Sequence, residues 1–234
     1  MVFEHNFETG LSDITNDKTI KNKAILRIFE DVAAKHSDSV QNGLYDIIDN
    51  GFSWVLLEWR LKVEKRPHYG DVLQVCTWVR NSTKLYSYRD FEIYVNGERA
   101  VCGSSKWICV DIKTLRPVKL TEELLGKYCP EPDKNVFGAP EFDRMKEAEE
   151  YPLSARYLVR KSDIDINGHV HNLNYLDMAY EVFDIEKEPD TAAVLYKKEI
   201  KYGDFVNICG AEKTDGRFVK IYGESGVNAL IEMR

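Results

Sequence analysis

From residue 54 to residue 64 the chain alternates: Leu57, Trp59, Leu61 and Val63 are separated by Glu58, Arg60, Lys62 and Glu64. That period of two predicts a strand with one face buried and one in water. Ahead of it, Lys18–His36 places Ile25, Ile28, Phe29, Val32 and Ala33 at helical intervals, the pattern of an amphipathic helix. Residues 2 to 8 read as a short strand. After Pro67-His68-Tyr69-Gly70, further strands are predicted over 71–80, 85–95 and 98–111, the last two joined by Asn96-Gly97, a pair suited to the left-handed positions of a hairpin turn. Pro130, Pro132 and Pro140, followed by the acidic run Glu147–Glu150, mark residues 131–150 as a linker. The order then repeats: a strand over Leu153–Arg160, a helix over 172–184, and strands over 191–200, 204–212, 217–223 and 227–233.

The repetition is also literal. Ser12-Asp13-Ile14 recurs as Ser162-Asp163-Ile164, Asn22 as Asn172 and Leu26 as Leu176, all 150 positions later. Tyr69-Gly70-Asp71 recurs as Tyr202-Gly203-Asp204, 133 positions later, and Cys76 as Cys209 at the same interval. Two matches in the same order, inside the same strand–helix–strands plan, indicate an internal duplication. A long apolar helix followed by four antiparallel strands, with one strand before it, predicts an α+β fold in which a sheet wraps a central helix. This is the hotdog arrangement, here in tandem: residues 1–130 as one hotdog and 151–234 as the other, packed as a pseudo-dimer within one chain.

The chemistry concentrates in the second copy. Asp163, Asp165, Asn167 and His169 recur at every second position, so extended chain would set all four on one side. Leu173, Leu176, Tyr180 and Phe183 follow at helical spacing, with Asn172 or Asn174 available as a cap. Two carboxylates, an amide and an imidazole thus lead into a helix start, where unpaired N–H groups stabilise negative charge. Turn-forming aspartates and a hydrogen-bonded structural histidine are the plainer account of the same residues. The duplication argues against it. Asp163 has its counterpart in Asp13, but Asp165, Asn167 and His169 fall opposite Thr15, Asp17 and Thr19, and Glu199 falls opposite Arg66.

Composition narrows the class without naming it. Apolar residues at 44% and charged residues at 30% are ordinary for a globular protein, and a net charge of -7 disfavours broad binding to nucleic acid or anionic membrane. No apolar run exceeds five residues, so no membrane span is expected. The first eight residues resemble neither a signal nor a transit peptide. Five cysteines without a Cys-x-x-Cys pair read as reduced thiols, and the chain as cytoplasmic. There is no phosphate loop, dinucleotide fingerprint, Gly-x-Ser-x-Gly elbow or metal-ligand spacing.

The run Asp163-Ile-Asp165-Ile-Asn167-Gly-His169-Val-His171-Asn-Leu-Asn-Tyr175 resembles the Asp-x-Asn-x-His-Val-Asn-Asn-x-x-Tyr motif of the plant and bacterial acyl-acyl carrier protein thioesterases. Trp59-Arg60-Leu61, His68-Tyr69-Gly70-Asp71, Ser105-Lys106-Trp107 and Thr114-Leu115-Arg116-Pro117 extend the likeness across the first half. The resemblance implies a double hotdog that hydrolyses the thioester between a fatty acyl chain and acyl carrier protein, terminating fatty acid synthesis. It makes Asp165, Asn167, His169 and Glu199 the catalytic candidates, with Glu199 or His169 as general base and amides near Gly168 and Val170 as oxyanion donors. Many plant members carry cysteine after that glutamate. Ile200 stands there, so cysteine chemistry at that position is excluded. His171 replaces the first Asn of the family's pair.

The first hotdog is then the acyl-binding one, with Phe29, Trp54, Leu57, Trp59 and Trp107 as candidate lining. Lys197, Lys198 and Lys201 are candidates for the phosphopantetheine phosphate or the acidic carrier. No cofactor is expected beyond the phosphopantetheine on the substrate, and the chain is expected as a monomeric pseudo-dimer or a homodimer. The competing readings are an acyl-CoA thioesterase, a hydratase on the same fold, and a non-catalytic hotdog that binds acyl thioesters.

Overall fold

The computed structural model describes residues 1–139 and 142–234, with Asn81 by its backbone only. Pro140, one of the three prolines read as linker breakers, lies outside the described residues. The chain divides into two compact units, Met1–Phe142 and Asp143–Arg234.

The first unit runs β1 (Phe3–Glu8), α1 (Asn22–Ser39), α2 (Ile47–Asn50), β2 (Phe52–Val63), β3 (Val72–Ser82), β4 (Tyr86–Val95), β5 (Glu98–Asp111) and α3 (Glu122–Gly126). Its strands are all antiparallel in the order β1-β3-β4-β5-β2. Asn96 and Gly97 both have positive φ, 54° and 81°, as the hairpin between β4 and β5 requires. The periodic face of α1 supplies the core: Ile25, Ile28, Phe29 and Val32 are fully buried. Each such side chain contributes about 1.5–3 kcal/mol by leaving water. Gly103 lets the helix lie this close, because a Cβ there would stand 2.4 Å from Phe29 Cε2.

The alternation over β2 is broken by a bulge between Leu56 and Glu58. Leu56 rather than Leu57 is therefore buried, and Leu57 is only half-buried. The polar face of β2 is wet only towards its end, at Lys62. Glu58 is buried, its carboxylate accepts from Arg60 Nη2 at 2.7 Å, and the Arg60 guanidinium lies 5.0 Å from the Phe142 ring. The cover comes from the stretch read as linker. Trp78 Nε1 donates to Lys134 O at 2.9 Å, Val136 N donates to Asp90 Oδ2 at 3.0 Å, and Lys134 Nζ pairs with Glu92 at 3.3 Å.

The second unit runs β6 (Leu153–Leu158), α4 (Asn174–Tyr180), β7 (Thr191–Tyr196), β8 (Phe205–Lys213), β9 (Gly216–Gly223) and β10 (Gly226–Met233). Its antiparallel order is β6-β8-β9-β10-β7. Taken strand for strand, this is the order of the first unit, which is the duplication expressed as topology.

Two predicted elements are shorter than expected. The helix ends at Tyr180 because Val182 and Phe183 turn onto β8, where Gly210 leaves room; a Cβ there would meet Val182 Cγ2 at 2.8 Å. Strand β7 ends at Tyr196 because the amides of Lys197 and Lys198 both converge on Asn228 O, at 2.7 and 3.1 Å, at a bulge in β10.

Candidate functional site

The polar row does not run as extended chain. A 3₁₀ turn, Lys161–Asp163, buries Asp163, whose Oδ2 accepts from Arg160 N at 2.8 Å and from the Tyr157 hydroxyl at 2.8 Å. Burial pushes that carboxyl up, but the Arg160 amide, the Arg160 guanidinium and Tyr157 together hold it below the usual range. Asp163 is thus committed to the loop and separated from the rest of the row.

Ile164 then bridges to Val170, Asp165 N donates to His169 O at 2.9 Å, and Gly168 N donates to Asp165 O at 3.1 Å. Gly168 takes φ 79°, left-handed backbone that costs an L side chain about 1–2 kcal/mol. The chain reverses there, and Ile166 is 80% exposed rather than packed behind a strand.

The reversal sorts the candidates into two pairs. Asp165 Oδ1 accepts from Asn167 N at 2.8 Å, and Asp165 Oδ2 accepts from Asn167 Nδ2 at 3.4 Å. His169 Nε2 meets Glu199 Oε2 at 3.0 Å. A carboxylate only accepts, so Nε2 carries the proton of this bond, and in the neutral imidazole the lone pair is on Nδ1. Lys201 Nζ stands 3.4 Å from the other Glu199 oxygen.

Main chain and Asn228 place Glu199. Val170 N donates to Ile200 O at 2.8 Å, joining the histidine loop to the glutamate segment, and Asn228 Nδ2 donates to Glu199 O at 3.2 Å. Asn228 was not among the expected residues; its one signal is a polar side chain within the apolar run of β10. Tyr175 was also missed, although it closes the motif. It is buried, its ring lies 5.1 Å from Tyr196, and its hydroxyl is pushed up by burial first and then by the charges of Glu199 and Asp165. The phenol therefore feels both pairs while staying protonated.

One further expectation needs correcting. The amides of Gly168 and Val170 are already spent on Asp165 O and Ile200 O, so neither is free as an oxyanion donor. Of the lysines, Lys197 pairs with Glu147 at 3.9 Å, Lys198 Nζ donates to Ser225 O, and Lys201 alone of the three reaches Glu199. Among the apolar candidates, Phe29 and Trp59 are core, their rings 6.1 Å apart. Trp107 Nε1 donates to Ser105 Oγ at 2.6 Å, Trp54 is half-buried, and Leu57 is the bulged residue of β2.

Two family models match the chain. Residues 1–128 match the acyl-ACP thioesterase N-terminal domain and residues 146–226 the acyl-ACP thioesterase C-terminal domain. The chain belongs to the acyl-ACP thioesterase family. Among curated relatives, the chloroplastic oleoyl-acyl carrier protein thioesterase 1 of Arabidopsis thaliana is 23% identical over 230 residues, covering 88% of this chain and 62% of that protein. The chloroplastic palmitoyl-acyl carrier protein thioesterase of the same plant is 26% identical over 200 residues, covering 77% and 47%. The chain thus spans under two thirds of the length of these relatives.

Solved structures share the fold more fully. An acyl-ACP thioesterase from Bacteroides thetaiotaomicron superposes with a TM-score of 0.88 at 20% identity, covering 99% of this chain and 96% of that one. The 12:0-ACP thioesterase from Umbellularia californica gives 0.83 at 16% identity, covering 100% and 96%. The α+β double hotdog expected from the sequence is the fold of this family. No helix among the described residues is long and apolar enough to cross a membrane.

Proposed function

We propose that the protein hydrolyses fatty acyl-acyl carrier protein thioesters and releases the free fatty acid, with the chemistry in the second unit. The observation that carries this is the His169–Glu199 contact of 3.0 Å on a loop joined to the glutamate segment by main chain. Glu199 fixes the imidazole tautomer. His169 Nδ1 takes a proton from water as the water oxygen bonds to the acyl carbon. The carbon–sulfur bond then breaks, and the thiolate leaves with little acid assistance, since a thiol of this kind has a pKa of about 8.5. Asn167 Nδ2, held only weakly by Asp165, is the donor available to the oxyanion. Asp165 positions Asn167 and Tyr175 bounds the site.

Acyl carrier protein is the partner in this reading, with Lys201 the lysine nearest the site. No metal or organic cofactor is required, since the phosphopantetheine arrives with the substrate. Five free cysteines suit a reducing compartment, and the cytoplasm is our assignment.

The test is a parallel assay of thiol release from matched acyl-carrier and acyl-CoA substrates, with a single turnover in ¹⁸O-water. Faster turnover of the carrier substrate, with label in the fatty acid and none in the enzyme, is expected. Preference for acyl-CoA would move the substrate class, and binding without turnover would make this a non-catalytic hotdog. Label in Asp165 would replace the water mechanism with an acyl-enzyme anhydride.

A further inference from the structure

The duplication extends to a bulge that both units carry. In β5, Ala100 stands out of register between Arg99, which pairs with Tyr94, and Val101, which pairs with Ile93. In β10, Asn228 does so between Val227, paired with Tyr222, and Ala229, paired with Ile221. Each bulged residue turns its carbonyl to two successive amides. Ala100 O accepts from Glu64 N at 2.8 Å and Lys65 N at 3.0 Å, and Asn228 O accepts from Lys197 N at 2.7 Å and Lys198 N at 3.1 Å. Next in the chain come Arg66 in one copy and Glu199 in the other.

The bulge therefore forms with alanine, and in both copies its side chain is almost fully buried. Asparagine there needs a reason, because a buried amide must find partners for its polar atoms. Its donors go to the glutamate segment: Asn228 Nδ2 donates to Glu199 O at 3.2 Å and reaches Lys198 O at 3.4 Å. Carbonyl oxygens only accept, so the NH2 end must face them and Oδ1 must face away. Among the described residues Oδ1 meets no donor, a cost that alanine avoids in the first unit. The main chain from Lys197 to Ile200 is thus held at every residue. Asn228 takes the first three, and Val170 N takes Ile200 O at 2.8 Å. Arg66 uses no such support, since its own Nη1 donates to Ile20 O and Asn22 Oδ1, both at 2.9 Å. Glu199 is exposed, and its contact with His169 depends on the main chain beneath it keeping its place.

We propose that Asn228 is a positioning residue for hydrolysis: it fixes the main chain of Glu199 so that the carboxylate meets His169 Nε2. It touches no reacting atom. The inference rests on the role given to Glu199 above, and it names the side chain that separates the copy with an acid–base pair from the copy without one.

Asn228→Ala restores the residue that the first unit carries at the same bulge, and should fold. Asn228→Leu keeps the shape of the side chain without its donor, and carries the test if the alanine variant does not fold. In thiol-release assays each should lower kcat roughly tenfold, less than the loss of about 10² from removing the base itself. KM should stay within about twofold, as for an interaction that serves the transition state alone. In a Glu199→Gln background the same substitutions should cost less than about twofold, because residues acting as one unit are not additive. A second readout needs no turnover. Amide exchange at Val170 should quicken at least about tenfold in the variants, by local opening. Ile20, whose N–H makes the equivalent bond to Pro67 O, and the amides paired between β9 and β10 should keep the wild-type rate. Full additivity with Glu199→Gln, unchanged exchange at Val170, equal quickening across β9 and β10, or failure of both variants to fold overturns the proposal. If the wild-type chain hydrolyses neither carrier nor CoA thioesters, the proposed function fails, and the exchange rates alone decide whether Asn228 holds the glutamate segment.

Discussion

Residues 10–22 and 160–172 are one loop built twice with different side chains. Gly10 N donates to Asp13 Oδ2 at 2.9 Å, and Arg160 N to Asp163 Oδ2 at 2.8 Å. Thr15 N reaches Thr19 O at 2.8 Å, and Asp165 N reaches His169 O at 2.9 Å. Ile20 N donates to Pro67 O at 2.9 Å, and Val170 N to Ile200 O at 2.8 Å. Both loops reverse through a left-handed residue, Lys18 at φ 67° and Gly168 at φ 79°. On the first frame, Asp17 takes hydrogen bonds from the hydroxyls of Thr15 and Thr19, which pull its carboxyl down to about 2. Arg66 stands where Glu199 does and donates to Ile20 O and Asn22 Oδ1, both at 2.9 Å. The first loop ties its polar groups up tightly among themselves, while the second turns His169 to Glu199 and leaves Asn167 Nδ2 on a long bond of 3.4 Å. The frame therefore does not need the site, and the site is an addition to the frame.

The sharpest way to break that comparison is to truncate the same position in both loops. His169→Ala should lower kcat by at least about 10², the usual loss when general acid–base help is removed. Thr19→Ala should leave kcat within about twofold, the range of an ordinary surface substitution. Comparable losses from both would show that the loops act together. Next come the shared aspartates. Asp13→Ala and Asp163→Ala should each cost about 1–3 kcal/mol in denaturant titrations, because each strands a part-buried amide donor. A neutral Asp163→Ala would make Asp163 a site residue instead of part of the frame. The smallest effects belong to the reversals. Gly168→Ala should cost about 1–2 kcal/mol, and Lys18→Gly should gain about 0.5 kcal/mol, since relief of left-handed strain outweighs the added chain entropy. Chemical denaturation midpoints check both, and destabilisation by Lys18→Gly would mean that the lysine side chain supports the first loop.

Strands were legible wherever burial follows a period of two, and the hairpin at Asn96-Gly97 announced its own turn. The bulges at Leu57 and Asn228 were not, because a single inserted residue leaves composition unchanged while reversing which side chains face inward. The identities in the candidate site were legible from the chain's own asymmetry. Its geometry was not: equal spacing suggested a strand, whereas the left-handed Gly168 and the pairing of Asp165 N with His169 O fold the row into two pairs. Tyr175 was visible as a motif letter but carried no sign of its burial or of the two carboxylate charges that its hydroxyl feels.

The connection between the units bears on where the gene can be cut. Residues 134 to 139 hold up the back of the first sheet, where Arg80 and Asp90 stand 3.4 Å apart and almost fully buried. Arg80 Nη1 donates to Ala139 O, and the Asp90 carboxyl, raised by burial against the pull of Arg80, also accepts from Val136 N. A fragment ending at Pro130 would open that ion pair to water along an uncovered sheet, whereas one ending at Phe142 keeps its cover. Split expression, domain exchange or circular permutation should therefore place the join after Phe142, so that the first fragment retains the segment from Glu131 onward.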